Sequence, residues 1–277
     1  MIQLTRIRTE ANVPKAFRGA DRVKRERELL TKRRDGELEF KSSQWKPAKD
    51  ALGAESFRKC AYCESLASAG YPCDVEHLRP KDVHWWLAWA YENYAFSCFL
   101  CNNKKLNHFP FEGTAWPEPK VAGKTDAQLA ALAGTFTPDP IDAAEGLTLA
   151  KFAQRHAAED SDLPHPYLDD VSPLLGFRAD DVLEQVFVEP ANGTAASKRV
   201  VNALVTLCDI NRDDLSRDRY LRYELLRVIA DAWSSDTLPP ALQLEHVDTL
   251  KRAMDASRPY SAMARHFIRR VWKLQLP

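Results

Sequence analysis

Two pairs of cysteines constrain this chain more than any other feature of its sequence. Cys60 and Cys63 form one Cys-x-x-Cys pair, and Cys98 and Cys101 form a second pair after 34 intervening residues. Two thiolates on a tight turn can hold one side of a tetrahedral Zn²⁺, so two such pairs predict a closed, structural zinc site. The alternative, four buried thiols without a metal, leaves the paired spacing unexplained.

The composition is that of a soluble globular protein. The chain has 277 residues, of which 45% are hydrophobic and 28% are charged, which excludes a disordered, collagenous or coiled-coil chain. No apolar run is long enough for a membrane span, and the N-terminus has no apolar stretch typical of a secretory signal. We therefore expect a cytoplasmic protein without membrane association. Disulfides are rare in that compartment, which favours metal binding by the cysteines.

The net charge of zero hides an uneven distribution. Residues 1–48 contain 13 basic and 7 acidic residues, whereas residues 125–192 contain 3 basic and 13 acidic residues. A basic segment can meet a polyanion, and an acidic segment would repel one unless it faces away. Solvated helix faces are the simpler explanation for any single charged run.

Hydrophobic periodicity predicts an α+β protein that is mostly helical. We expect four segments: a basic N-terminal strand and helical segment (1–57), a core (58–112), an acidic loop-rich segment (113–193) and a helical C-terminal region (194–277). Alternating apolar residues predict strands at 2–7 and 184–188. The predicted helices lie at 21–34, 47–57, 126–133, 195–208, 215–232, 242–256 and 261–274.

Polar residues suited to catalysis lie between and after the cysteine pairs. Glu76-His77 and Asn93 lie between them, and Asn102 directly follows Cys101. This order closely resembles that of the HNH nucleases, in which a zinc knuckle pins a β-hairpin against a helix in a ββα-metal core. The resemblance implies such a core here, embedded in N-terminal and C-terminal helices. It also implies a metal-dependent endonuclease that hydrolyses phosphodiester bonds.

The resemblance assigns a role to each of these residues. His77 would be the general base that activates water, since a neutral imidazole suits that task near pH 7. Glu76 would bind a catalytic Mg²⁺ or Mn²⁺, with Asn102 as a second ligand. Asn93 would orient the ring of His77. The basic residues near the site that could contact nucleic-acid phosphate are Arg79, Lys81, Lys104 and Lys105.

A narrower resemblance extends over more of the chain. Residues 59–64, 75–81 and 98–104, with Trp89 and Phe109-Pro110, resemble the PtuB-like HNH proteins of Septu and some retron phage-defence systems. Those proteins accompany an SMC-like or AAA-type (PtuA-like) ATPase. The resemblance implies a defence nuclease controlled by such a partner, and residues 125–192 are a candidate docking segment for it. One HNH site cuts one strand, so double-strand cleavage would need a homodimer or two sequential nicks.

Three alternatives remain open at this point. The chain could be a zinc-containing nucleic-acid-binding module without catalysis. It could be a regulatory or assembly subunit in which cleavage is secondary. It could also cleave RNA or tRNA rather than DNA, since no residue identifies the substrate.

Overall fold

The chain forms a mixed α/β structure in which helices predominate. The computed structural model describes residues 1–68, 72–144, 146–234 and 239–277. The helices of this part of the chain are α1 (Gly19–Asp35), α2 (Lys49–Glu55), α3 (Phe99–Lys105), α4 (Asp126–Leu132), α5 (Leu149–Glu159), α6 (Ala195–Cys208), α7 (Asp213–Ser234), α8 (Pro240–Ala253) and α9 (Ser261–Arg265). The strands are β1 (Cys73–His77), β2 (Tyr94–Cys98), β3 (Leu175–Asp180) and β4 (Gln185–Pro190).

The first hairpin runs directly into a helix. β1 and β2 pair antiparallel, with Cys73 opposite Cys98 and His77 opposite Tyr94. α3 begins at Phe99, the residue after β2, so no loop separates the strand from the helix. A two-stranded hairpin alone is marginally stable in water, and here α2 and α3 pack against it. The direction of α3 is therefore tied to that of β2.

The second hairpin packs against the C-terminal helices. The predicted strand at 184–188 is confirmed as β4, which pairs antiparallel with β3 and contacts α6 and α7. The predicted helix at 195–208 is confirmed with the same bounds as α6. Thr194 caps α6, because its side-chain oxygen accepts a hydrogen bond from the backbone N–H of Ser197.

One cluster of buried apolar side chains joins distant parts of the sequence. All four predicted segments contribute to it. Its members include Phe17 and Leu52 from the first segment, Phe96 from the second, Val186 and Val188 of β4 from the third, and Leu204 and Met263 from the fourth. A second cluster gathers Trp85, Trp86 and Trp89 with residues of α1 and α5. Among the described residues, none of the helices is long and apolar enough to cross a membrane.

Three secondary-structure predictions are wrong. Residues 2–7 form no strand in the described part of the chain, because backbone N–H groups of this segment bond elsewhere: that of Leu4 donates to the carbonyl of Pro166 and that of Ile7 to the side chain of Glu55. α5 was not predicted, since it lies in a Pro-rich acidic segment. It is nevertheless capped by Thr148 and buries Phe152 and Glu159. The helix predicted at 261–274 ends in a π-helical turn at Val271.

Candidate active site and metal centre

The four paired cysteines meet in space. Cys60 and Cys63 lie on a turn before the first hairpin, Cys98 ends β2, and Cys101 lies in the first turn of α3. All four are buried, and their sulfur atoms lie within 4.8 Å of one another. Cys73 and Cys208 are also buried but lie outside this cluster. The four thiols could bind a structural zinc ion.

The groups around the sulfurs fit thiolates, which are the form that binds zinc. Ser65 Oγ lies 3.0 Å from the sulfur of Cys63, and Ser97 Oγ lies 3.6 Å from that of Cys60. Arg212, from the turn between α6 and α7, donates from Nη1 to the sulfur of Cys101 at 3.7 Å. A cation and hydroxyl donors next to the sulfurs stabilise the negative charge that a four-thiolate site carries.

Three of the four residues predicted for catalysis line one cleft beside this cluster, and the fourth, Asn93, is fully buried outside it. Glu76 and His77 from β1 share a cleft of about 370 Å³ with Asn102 from α3 and Lys81 from the loop after β1. Trp45, from the N-terminal segment, forms another wall of the same cleft. The structure therefore brings together the proposed base and both proposed ligands of the catalytic cation.

The ring of His77 is held in one tautomer. Its Nε2 lies 2.9 Å from the carbonyl oxygen of Ala88, which can only accept, so Nε2 carries the hydrogen. Burial lowers the pKa of His77 to about 3, so the ring is neutral and Nδ1 keeps its lone pair. The rings of Trp45 and Tyr94 pack nearly perpendicular to it, at centroid distances of 4.9 and 5.0 Å.

Asn93 supports this arrangement indirectly. Its amide donates to the carbonyls of Arg79 (2.9 Å) and Leu87 (3.3 Å), and its Oδ1 accepts from the backbone N–H of Arg79 at 2.9 Å. No hydrogen bond described in the structure joins Asn93 to His77. The predicted orienting role of Asn93 can therefore act on the ring only through other residues. Asn93 instead holds the backbone at Leu87. The next residue, Ala88, provides the carbonyl to which the ring of His77 bonds.

Glu76 is paired with a buried lysine. Its Oε1 lies 2.7 Å from Nζ of Lys105, and both side chains are almost completely buried. Burial raises the pKa of Glu76, and the ammonium of Lys105 opposes that rise. Lys105 also donates to the backbone carbonyl of His77 at 2.9 Å. Lys105 is therefore engaged inside the protein, which contradicts its predicted role in contacting phosphate.

Arg79 is likewise an internal residue. Its side chain has no solvent exposure, and it pairs with Glu159 of α5, to which Nε donates at 2.8 Å. It also donates to Nδ1 of His156, whose Nε2 in turn lies 2.8 Å from Asp169. The rings of Phe109, Trp116 and Phe152 surround the guanidinium at 5.0 to 5.8 Å. The predicted phosphate contact by Arg79 is thus wrong, because burial leaves it no access to a ligand.

The other two predicted phosphate contacts are accessible. Lys104 is exposed on α3, and Lys81 is partly exposed at the cleft, with Nζ 5.7 Å from the centre of the Trp45 ring.

Sequence reasoning missed two residues of the site. Trp45 belongs to no motif. The hydroxyl of Tyr94 donates a hydrogen bond at 2.7 Å to the Ala88 carbonyl that also bonds to His77. The position of Tyr94 directly after Asn93 was the one available signal.

Comparison with known proteins gives a distant relative. The chain is 27% identical over 121 residues to the Septu protein PtuB of Bacillus mycoides (strain KBAB4), a match that covers 39% of this chain and 41% of that protein. The chain thus spans about two fifths of the length of the curated relative it matches. No protein-family model matches it. The similarity supports a Septu-like relation.

The Arg79–Glu159 pair yields a stability prediction. Arg79→Leu leaves the carboxylate of Glu159 buried without its cation, so we expect the free energy of unfolding to fall by about 3–5 kcal/mol. Removing both charges with Arg79→Leu and Glu159→Leu should recover part of that loss. Urea unfolding of the purified variants measures both values.

The matched control is Arg178→Leu, which removes an arginine from the exposed pairs with Asp180 and Glu189. Such a pair contributes roughly 0–1 kcal/mol. Equal losses for Arg79→Leu and Arg178→Leu would contradict the structural role of the buried pair.

Proposed function

We propose that this chain is a metal-dependent HNH endonuclease that hydrolyses phosphodiester bonds of nucleic acid, with DNA as the favoured substrate. The observation that carries the proposal is the shared cleft of Glu76 and His77, from strand β1, and Asn102, from helix α3, beside four clustered cysteines. Strand β2 pairs with β1 and leads directly into α3. This strand–strand–helix unit is what a ββα-metal core requires. The resemblance of the motif order to the HNH family supports the same assignment.

The chemistry follows from the side chains of the cleft. Nδ1 of His77, with its free lone pair, is suited to remove a proton from the attacking water, while the Ala88 carbonyl keeps the ring in position. Glu76 and Asn102 would hold Mg²⁺ or Mn²⁺. Such a cation neutralises the charge that develops on the leaving 3′-oxygen. Lys105 keeps Glu76 oriented. Lys81 and Lys104 are the basic residues available to contact phosphate of the substrate.

We also propose that the four-cysteine cluster holds structural zinc. Purified protein should contain about one zinc ion per chain. A structural zinc site contributes on the order of 10 kcal/mol, so Cys63→Ser should lose the metal and unfold the core around it. Elemental analysis and circular dichroism measure the two effects. Cys208→Ala, a buried cysteine outside the cluster, should keep its zinc. Soluble, folded wild-type protein without zinc would contradict the assignment.

The catalytic proposal is tested by substituting the base. His77→Ala should lower the rate of plasmid nicking in Mn²⁺ by at least about 10²-fold, because removal of a general base costs that much or more. The fold and the zinc content should be unchanged. The matched control is His108→Ala, since His108 is exposed and does not line the cleft.

The outcomes of that assay separate the candidate functions. Wild-type cleavage of RNA with no nicking of DNA would select the RNA-cleaving alternative. Nucleic-acid binding without cleavage would select the non-catalytic module. Nicking by His77→Ala at the wild-type rate would show that another residue is the base.

We propose further that the nuclease serves phage defence under the control of an ATPase partner. The proposal rests on the similarity to the Septu protein PtuB and on the resemblance to proteins that accompany an SMC-like or AAA-type ATPase. Part of the charge of the acidic segment is already paired within the chain. Asp139 bonds within the chain to Arg22, Asp160 and Asp162 to Arg199, and Asp181 to Arg227.

Co-purification tests the partner. We expect the chain to co-purify with the ATPase encoded beside it at low salt. If charge holds the complex together, raising the salt should weaken it. A chain that binds none of its gene neighbours and cleaves freely alone would remove the regulatory proposal and leave the nuclease proposal standing.

A further inference from the structure

Helix α7 carries an exposed row of apolar residues. Leu221, Leu225 and Val228 are 66%, 53% and 65% exposed, although they follow one another at intervals of four and three residues. At those intervals they lie on one face of the helix. The other face is in the core, where Tyr223, Leu226 and Ala230 are buried. We refer to Leu221, Leu225 and Val228 as the α7 stripe.

The surroundings of the α7 stripe enlarge the apolar surface. Leu66, directly after the first cysteine turn, is 49% exposed and lines a cleft of about 430 Å³ together with Leu221, Leu225 and Pro259. Single exposed leucines are common on protein surfaces, but a contiguous apolar patch of this kind marks an interaction site. The patch therefore calls for an occupant with an apolar face of similar length.

The charges beside the stripe indicate which occupant fits. Arg217 and Asp231 are 14 residues apart, or two heptads, so they lie on the same flank of α7, one toward each end of the stripe. In the single chain Arg217 is paired with Asp213, one turn earlier on the exposed surface of α7, at 3.0 Å. If a second α7 packs antiparallel across the middle of the stripe, Leu221 meets Val228 of the second copy. Arg217 then meets Asp231 of the second copy, twice by symmetry. A two-fold interface pairs residues in this reciprocal way.

We propose that the α7 stripe is the interface of a homodimer in which two α7 helices pack antiparallel about a two-fold axis near Leu225. One contact opposes this arrangement, because Glu224 at the middle of the same flank faces its own copy. The predicted interface is thus apolar along its centre, with one ion pair at each end and one like-charge contact between them. The dimer has one consequence that rests on the proposed function: it supplies one active site for each strand of a duplex.

The oligomeric state tests the proposal without reference to catalysis. Light scattering on a size-exclusion column should give wild-type protein a mass about twice that of the 31.4 kDa chain. Leu225→Glu should give a single chain, because it places two carboxylates in the apolar centre. Val182→Glu is the matched control, since Val182 is a 92% exposed apolar residue outside the stripe, and it should remain dimeric. A monomeric wild type, or a dimeric Leu225→Glu protein, would overturn the proposal.

Charge reversal tests the antiparallel register. Arg217→Asp or Asp231→Arg alone should raise the dissociation constant of the dimer by about tenfold, and the two together should restore it. Glu224→Gln should tighten the dimer, because it removes the like-charge contact. A double variant that binds no better than either single variant, or a Glu224→Gln protein that binds more weakly, would rule out this register.

Plasmid cleavage separates the dimer from the nuclease proposal. Wild-type protein should convert supercoiled DNA to linear DNA. The Leu225→Glu protein should nick the first strand at a similar rate and then accumulate open-circular DNA. If neither protein cleaves, the nuclease proposal fails, and the mass measurement still decides the dimer.

Discussion

The cysteine cluster is the constraint on which the rest of the site depends. Cys98 ends β2 and Cys101 lies in the first turn of α3, so holding both sulfurs in one place fixes the angle between strand and helix. The cleft is lined from the hairpin and the helix: Glu76 and His77 lie on β1, which pairs with β2, and Asn102 lies on α3. A shift of α3 relative to the hairpin would move the two proposed cation ligands apart. Arg212 extends the same constraint to the C-terminal helices.

Buried charge pairs form a second framework around the cleft. Glu76–Lys105 lies beneath it, Arg79–Glu159 joins the loop after β1 to α5, and Arg6–Glu55 fixes the N-terminal segment. Burying an ion pair costs desolvation and is often no more stabilising than apolar packing, but a charge left without its partner is costly. These pairs therefore favour one arrangement of the loops around His77 over others.

The sequence revealed the parts of the site that are local and left out those that depend on distant contacts. The cysteine spacing, Glu76-His77 and Asn102 were readable because each lies in a short motif, and the structure places them around one cleft and one cluster. Arg79 and Lys105 were misassigned because their partners, Glu159 and Glu76, are 80 and 29 residues away in sequence. Trp45 carries no local signal at all. Helix α5 was missed for a different reason: its apolar positions do have helical spacing and Thr148 caps it, but the prolines and acidic residues around it indicated a loop.

Binding of Mn²⁺ to the zinc-containing protein, counted by electron paramagnetic resonance, tests the central claim most directly. The account predicts one saturable Mn²⁺ site per chain that is weakened at least about tenfold by Glu76→Gln and by Asn102→Ala, because each removes an oxygen ligand of a hard cation. His108→Ala should bind as the wild type does, and zinc content should be equal in all four proteins. Two results would contradict the assignment of this cleft as a metal-dependent active site. The first is wild-type protein without a saturable Mn²⁺ site. The second is wild-type protein that binds Mn²⁺ no more tightly than the Glu76→Gln protein does.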